Sequence, residues 1–143
     1  MEKQLKVAPG GVVRKVALLH FTDQGKVLFA RTRGQALAYT VGGKVKEGET
    51  DEEALIREVK EETGVDLIPE SIRFYFLFQG PCHGYVEGTL LKMLCFTADF
   101  IGTPTPCGEI EQLVELDESD IGKGRTTVMG DAILDHVAYN AQR

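Results

Sequence analysis

Cysteine and histidine are scarce in this sequence, with three residues of each among 143. Three cysteines, Cys82, Cys95 and Cys107, cannot all pair, and they show none of the C-x-x-C spacing that is typical of zinc sites and redox motifs. The scarcity therefore excludes a disulfide scaffold, and we expect free thiols in a reducing cytoplasm.

Long hydrophobic runs are also missing. No apolar stretch approaches the ~20 residues that span a bilayer. The N-terminal residues Met1-Glu2-Lys3-Gln4 lead into no apolar region of the kind that a signal peptide needs. We therefore predict a cytoplasmic protein with no membrane partner.

Positive charge is outweighed by negative charge, because 16 Lys and Arg against 22 Asp and Glu give a net charge of -6. Proteins that bind the phosphate backbone of nucleic acids usually carry a basic face, so no nucleic-acid partner is expected. A small anionic substrate is still compatible with this charge, because bound cations reverse the local sign.

Repeats, low-complexity tracts and linkers are absent as well, and the length suits a single domain over residues 1–143. Apolar runs between turn signals predict strands over 11–21, 26–32, 37–41, 71–79, 89–100 and 112–116, the first two forming a hairpin around Asp23-Gln24-Gly25. Helices are predicted over 50–64 and 127–140, the second with Met129, Ile133 and Val137 on one face. The pattern favours an α/β fold in which a mixed β-sheet is flanked by helices.

What the sequence does contain is a helix with clear end signals and a row of acids. Thr50 and Glu53 form the capping box T-x-x-E, and Gly64 can take the left-handed conformation after the last turn. Within this helix Glu58, Glu61 and Glu62 stand at i, i+3 and i+4, so they share one face. Like charges at this spacing destabilise a helix by a few tenths of a kcal/mol per pair.

The acids alone leave two interpretations open. One is a solvated acidic helix face, which is common in Glu-rich helices. The other is a metal site, because the acids lie beside a stripe of Leu55 and Val59 that should face the core, where uncompensated carboxylates are costly. Arg57 cannot neutralise all of them, whereas Mg2+ or Mn2+ would.

The segment from Gly43 to Val65, GKVKEGETDEEALIREVKEETGV, resembles the Nudix box, G-x5-E-x7-R-E-U-x-E-E-x-G-U, where U is a bulky aliphatic residue. Every specified position matches, namely Gly43, Glu49, Arg57, Glu58, Val59, Glu61, Glu62, Gly64 and Val65. The resemblance implies a Nudix-type α/β/α sandwich of the short, MutT-like kind, with its box at residues 43–65.

The resemblance also implies the roles of single residues. The expected ligands of Mg2+, with Mn2+ as the alternative, are the Gly42 carbonyl, Glu58, Glu61 and Glu62. Arg57 would hold the carboxylates in place by charge-assisted hydrogen bonds, and Glu49 would tie the loop to the helix. Arg33 and Lys44 are candidates for binding substrate phosphates, together with Arg31 and Lys46, and ordinary surface charge explains them equally well.

The general base and the base-binding residues are less constrained. The base is either a glutamate of the box or a glutamate of a later loop, where Glu109 and Glu111 precede the predicted last strand. Glu111 is favoured because it lies nearer that strand. Tyr39, Phe76, His83 and Tyr85 could stack on a nucleobase, although packing explains each of them too.

Taken together, these features predict metal-dependent hydrolysis of a phosphoanhydride bond in a nucleoside diphosphate linked to another group. The first candidate is a MutT-like nucleoside triphosphate pyrophosphatase that gives a nucleoside monophosphate and pyrophosphate. ADP-ribose, a nucleotide sugar or a dinucleoside polyphosphate is the alternative substrate. A non-catalytic nucleotide-binding module is the third hypothesis, and three intact glutamates argue against it. The oligomeric state, monomer or homodimer, is left open.

Overall fold

The computed structural model describes residues 11–141, and the N-terminal residues for which no signal peptide is predicted lie outside this range. Its strands and helices, in chain order, are β1 (Val12–Leu18), β2 (Val27–Thr32), β3 (Tyr39–Lys44), α1 (Asp51–Thr63), β4 (Asp66–Leu67), β5 (Arg73–Pro81), β6 (Leu90–Thr97), β7 (Phe100–Ile101), β8 (Ile110–Leu116) and α2 (Val128–Ala141). Short 3-10 turns cover Pro69–Ser71 and Glu118–Asp120.

Six of the strands form one mixed sheet in the order β5-β6-β1-β3-β2-β8, while β4 and β7 pair separately. The β1 and β6 strands run parallel, and every other pair in the sheet is antiparallel. One helix covers each face of the sheet, since α1 packs into one buried cluster and α2 into the other. The predicted α/β/α sandwich is confirmed.

The central strand β1 is buried on both faces. Val13 and Ala17 belong to the cluster on the α2 side, whereas Val16 and Leu18 belong to the cluster on the α1 side. Burying a side chain of this kind stabilises the fold by roughly 1.5–3 kcal/mol, so β1 organises both layers of the core. Its two flanks are occupied by β3 and β6.

The predicted hairpin between the first two strands is wrong beyond its turn. The chain does reverse locally, since the Thr22 amide donates to the Lys26 carbonyl and the Leu28 amide donates to the His20 carbonyl. The β1 and β2 strands then separate, because β3 lies between them and pairs with both. The strand nearest in the sequence is therefore not the partner of β1, and the local turn does not decide the pairing.

Among the strand boundaries that differ from the prediction, two bear on the candidate site. The β3 strand runs through Gly42 to Lys44 instead of ending at Val41, and Gly42 stays in register with Ala17 of β1. The β8 strand begins at Ile110, so Glu111 lies within it rather than before it.

All three cysteines lie within the described residues. Cys82 and Cys95 are buried, Cys107 is half-buried, and none of the three forms a disulfide. Burial raises the pKa of Cys95 to about 12, so this thiol stays protonated at neutral pH. No helix among residues 11–141 is both long and apolar enough to cross a bilayer.

Candidate active site

The α1 helix positions the acids, and its ends are as predicted. Thr50 Oγ1 accepts from the Glu53 amide at 3.1 Å, and Glu53 Oε1 accepts from the Thr50 amide at 2.9 Å. Gly64 ends the helix with φ 78°, and its amide donates to the Lys60 carbonyl. The face that packs on the sheet is made by Ala54, Leu55, Val59 and Thr63. With both ends and one face held, the glutamates are presented toward β3.

Glu62 connects α1 to the glycine pair of β3. Its Oε1 accepts from the Gly42 amide at 3.0 Å. Burial raises the pKa of Glu62 to about 8, against the lowering effect of that hydrogen bond. The negative charges of Glu58 and Glu61 raise the pKa further, and the positive charge of Lys15 lowers it. Glu62 is therefore a carboxyl group that the fold holds in place but leaves short of positive charge.

Glu58 lies against the second glycine of the pair. Its side chain is 16% exposed, and burial raises its pKa while the Arg57 guanidinium lowers it. A methyl group on Gly43 would overlap the Glu58 carboxyl group. Gly43 is thus the residue that leaves room for this carboxylate between α1 and β3.

Arg57 holds the loop and the acids together. Its Nε and Nη2 donate to the two oxygens of Glu49 at 2.6 and 2.9 Å, and Nη2 also donates to the Lys44 carbonyl at 3.2 Å. Its Nη1 donates to Glu58 at 3.2 Å and to Glu61 at 3.5 Å. The hydrogen bonds from Arg57 hold the pKa of Glu49 at about 2. The Arg57 guanidinium therefore neutralises mainly Glu49. The other acids, Glu58, Glu61 and Glu62, keep an excess of negative charge.

The expected effect of Arg57→Lys follows from this geometry. Lysine keeps the charge but cannot form the two-pronged bond to Glu49 while reaching Glu58. We expect kcat to fall by about 10–100-fold, the usual cost of losing a group that orients metal ligands. Because Arg57 contacts the carboxylates that the sequence predicts as metal ligands, we expect a titration with Mg2+ to show a weaker apparent metal affinity, and excess Mg2+ to restore part of the activity. If Arg57→Lys shows wild-type kinetics at every metal concentration, then Arg57 contributes only its positive charge.

The carboxylates of Glu58, Glu61 and Glu62 have the chemistry of a site for a divalent cation, but not yet its geometry. Among residues 11–141, no group of three acidic, histidine or cysteine side chains converges on one point as arranged. The carboxylates are instead turned toward the Arg57 guanidinium and the Gly42 amide. Their oxygens are nevertheless the donors that Mg2+ prefers, and desolvation of Glu58 and Glu62 leaves a deficit of positive charge that a cation would fill. The residues therefore fit Mg2+ or Mn2+.

The segment before β8 runs along the end of α1. The Thr105 amide donates to the Thr63 carbonyl, and the Cys107 amide donates to the Glu62 carbonyl, both at 3.0 Å. Further along, the pairing of β8 with β2 shifts register so that Glu111 has no partner in the ladder. Its carboxylate accepts from Arg31 Nη1 at 3.1 Å and is 49% exposed. Glu111 is thus the extra residue of a β-bulge, a feature that often redirects side chains near active sites.

A cavity of about 130 Å³ opens between β3, the turn after β5 and the start of α2, and its apolar lining belongs to the buried cluster on the α2 side of the sheet. Lys15, Tyr39, Thr40 and His83 line it. Lys15 was not predicted from the sequence, where it is one of two adjacent charged residues, with Arg14, in the middle of β1. The predicted phosphate-binding residues Arg33 and Lys44 are exposed and are not among the residues that line this cavity.

The four aromatic candidates for stacking divide into two groups. Tyr39 and His83 line the cavity, and their rings meet edge to face at 5.8 Å. Phe76 instead packs against His136 and Phe78. The ring of Tyr85 lies 5.8 Å from Lys15 Nζ, within range of a cation–π contact.

Comparison with known proteins gives consistent matches. A family model described as the NUDIX domain matches residues 11–129. A segment of 51 residues is 43% identical to an RNA pyrophosphohydrolase of Marinomonas sp. (strain MWYL1), covering 36% of this chain and only 32% of that protein. The solution structure of the E. coli ORF135 protein superposes with a TM-score of 0.72 at 25% identity, covering 93% of this chain and 94% of that one. A structure of MutT, from work on the Aliivibrio salmonicida and Vibrio cholerae proteins, superposes with a TM-score of 0.67 at 22% identity, covering 90% and 98%; this last match shows the fold alone.

Proposed function

This chain belongs to the NUDIX domain family and is a Nudix hydrolase, and from this premise we propose that it hydrolyses nucleoside triphosphates to a nucleoside monophosphate and pyrophosphate. The observation that carries the proposal is the pair Glu58 and Glu62, desolvated, short of positive charge and placed at the glycine pair of β3. A nucleotide-binding module without catalysis would have no use for such costly acids.

We propose Glu58, Glu61, Glu62 and the Gly42 carbonyl as the ligands of Mg2+, with Mn2+ as the alternative. When bound, the cation would offset the charge of the substrate phosphates and the charge that develops as water attacks phosphorus. The chain itself contributes the frame. Arg57 fixes Glu58 from the helix side, and the Gly42 amide fixes Glu62 from the strand side. Lys15, between the cavity and Glu62, is proposed to meet the phosphates in place of Arg33 and Lys44.

We further propose Glu111 as the general base, supported by its place in the β-bulge of β8. Its exposed ion pair with Arg31 must open for this role, and such pairs are worth only ~0–1 kcal/mol. Glu111→Gln should lower kcat while leaving the apparent Mg2+ affinity close to that of the wild type. A metal ligand would lose both together, so kcat measured across a Mg2+ titration separates the two roles.

Glu109→Gln is the variant for comparison, because Glu109 is the other candidate for the general base outside the box. Glu109 lies before the bulge and follows Gly108, where an added methyl group would lie 3.2 Å from the Glu61 carbonyl oxygen. If Glu109→Gln slows turnover and Glu111→Gln does not, the base is Glu109. If neither variant slows turnover, a glutamate of the box accepts the proton of the attacking water.

The proposed reaction is tested with a substrate panel. The purified chain is incubated with the ribo- and deoxyribonucleoside triphosphates, ADP-ribose, a nucleotide sugar, a dinucleoside polyphosphate and a 5′-triphosphorylated RNA, each with Mg2+ and with Mn2+. The RNA is included because of the partial match to an RNA pyrophosphohydrolase. We expect monophosphate and pyrophosphate from the triphosphates, separated by chromatography, and none with excess EDTA. Faster turnover of another compound in the panel would identify that compound as the preferred substrate. Undiminished activity in EDTA would overturn the metal proposal.

A further inference from the structure

We propose that two copies of this chain associate through their β5 strands, which pair antiparallel and join the two six-stranded sheets into one continuous sheet. The contact surface is the open edge of β5, defined as residues 76–80. The inference goes beyond the proposed function and does not depend on it, because β5 carries none of the residues proposed for hydrolysis.

The β5 strand is exposed and apolar. It forms one end of the six-stranded sheet, and among residues 11–141 no strand pairs with its outer side. Phe74, Phe76 and Leu77 are 58%, 41% and 36% exposed. Proteins usually protect an edge of this kind with charged side chains, but the sequence between Arg73 and Pro81 contains none. The open edge is therefore suited to receive another strand.

The backbone shows which groups are available on the open edge. The Cys82 amide donates to the carbonyl of Thr89, the residue just before β6. The direction of hydrogen bonding alternates along an antiparallel ladder, so the even-numbered residues of β5 bond to β6. The amides and carbonyls of Leu77 and Gln79 then point outward. Pro81 also occupies an outward position, where its missing amide costs no bond in the sheet.

One register satisfies these outward groups completely. When two antiparallel copies are centred on Phe78, Leu77 of each copy lies opposite Gln79 of the other, and both exchange amide and carbonyl bonds. The same register places Tyr75, at the bulge between β5 and β6, opposite Pro81 of the second copy. The two positions that interrupt a ladder therefore coincide. This complementarity of the edge with itself favours a second copy over an unrelated strand.

The side chains fit the same register. Phe76 would lie opposite Gly80 of the second copy, so that a large ring meets a residue without a side chain. The Phe76 ring is already held in place, since it stacks on His136 with centroids 4.1 Å apart and contacts Phe78 at 4.9 Å. A ring that is ordered before association loses little conformational entropy on contact.

Charge does not oppose this pairing at the strand itself. Arg73 is the charged residue of β5, and its guanidinium is bound to the carbonyls of Glu70 and Ile72. In the antiparallel arrangement the two Arg73 residues lie roughly 33 Å apart along the strands. The contact is small beside the roughly 1,200–2,000 Å² of a stable interface, so we expect a reversible dimer with a Kd on the order of 0.1–1 mM.

Sedimentation equilibrium and amide hydrogen exchange test the dimer. Between about 10 µM and 1 mM, the average mass should rise from that of one chain toward that of two. The amides of Leu77 and Gln79 should exchange more slowly in the concentrated sample than in the dilute one. The amide of Phe78 is the internal control, because it bonds to β6 and should be protected at both concentrations.

Variants test the register. Leu77→Lys removes the apolar contact and should raise the Kd at least about 10-fold. Adding Gln79→Glu places the new glutamate opposite the new lysine in both pairs, and should recover about 2- to 30-fold of the lost affinity, whereas Gln79→Glu alone should not strengthen the dimer. Ile101→Lys is the matched control, because Ile101 is exposed on β7, outside the six-stranded sheet. Thermal unfolding of dilute samples checks that each variant folds.

Concentration-dependent mass, weakened by Leu77→Lys and recovered in the double variant, would support the inference. A monomer at every concentration, or a dimer that Leu77→Lys leaves unchanged, would overturn it. Slow exchange of the Leu77 and Gln79 amides in the dilute sample would also overturn it, because another part of the same chain would then cover the edge. A double variant no tighter than Leu77→Lys would show that the strands do not pair around Phe78. None of these outcomes depends on whether triphosphates are hydrolysed.

Discussion

Replacing Glu62 by glutamine is expected to lower turnover by about 10²–10⁴-fold and, at the same time, to make the metal-free protein more stable. Glutamine keeps the shape and an oxygen that can accept from the Gly42 amide, as Glu62 does at 3.0 Å. It removes an ionisable group that burial keeps protonated in the folded state, since the pKa of Glu62 is raised to about 8. We expect a gain of about 1–3 kcal/mol in the free energy of unfolding at neutral pH, measured by urea unfolding in EDTA.

The gain should depend on pH in a definite direction. Below the ordinary glutamate value of 4.5, Glu62 is protonated in both the folded and unfolded states and costs nothing. Between 4.5 and about 8 the unfolded state has lost this proton while the folded state retains it, so wild-type stability falls as the pH rises. Glutamine does not titrate. The difference between variant and wild type should therefore be small near pH 4 and largest near pH 8.

Two comparisons make the result specific. Glu52→Gln removes an exposed acid from the first turn of the same helix and should change neither turnover nor stability by more than a few tenths of a kcal/mol. Added Mg2+ should stabilise the wild type, by about 2.7 kcal/mol at a hundred times its Kd, and should stabilise Glu62→Gln far less. A variant that is less stable than the wild type in EDTA at pH 8 would show that Glu62 is structural.

The parts of this site that could be predicted are those with local causes. The ends of α1 depend on Thr50, Glu53 and Gly64, which lie within or next to the helix, so their sequence signals suffice. The face shared by Glu58 and Glu62 follows from helical periodicity alone.

The parts that could not be predicted depend on which strands are neighbours. The order of β1, β3 and β2 is set by long-range pairing, and a turn between two apolar runs does not reveal that a third strand enters between them. The role proposed for Lys15 is hidden for the same reason, because β1 carries one charged residue on each face, Arg14 and Lys15, and the sequence does not show which of them lies next to Glu62. The bulge at Glu111 arises from the register of β8 with β2 and has no local signal.

The glycine pair belongs to both groups. Its presence in the motif is visible in the sequence, but the two residues have different tasks that only the packing reveals. Gly42 has φ 147°, and a methyl group there would meet the Val16 carbonyl and lie 2.8 Å from the Ala17 Cα. Gly43 has no such backbone restriction, and the three atoms nearest to its methyl group would all belong to the Glu58 carboxyl group.

Gly43→Ala is therefore expected to lower kcat by about 10²-fold while the protein still folds. The added methyl group displaces the end of a flexible side chain, which costs little stability, but it moves the Glu58 carboxylate out of place, and a misplacement of about 1 Å can cost 10²-fold in rate. Gly42→Ala is expected to affect stability rather than kcat. It strains the backbone between β1 and β3, so its main effect is a loss in the free energy of unfolding, on the order of 1–3 kcal/mol or more. Thermal unfolding and kcat measured on both variants test the pair together. If Gly43→Ala retains wild-type turnover, or if its loss of activity is matched by a loss of stability as large as that of Gly42→Ala, then Gly43 does not serve to place Glu58, and the division of tasks between the two glycines fails.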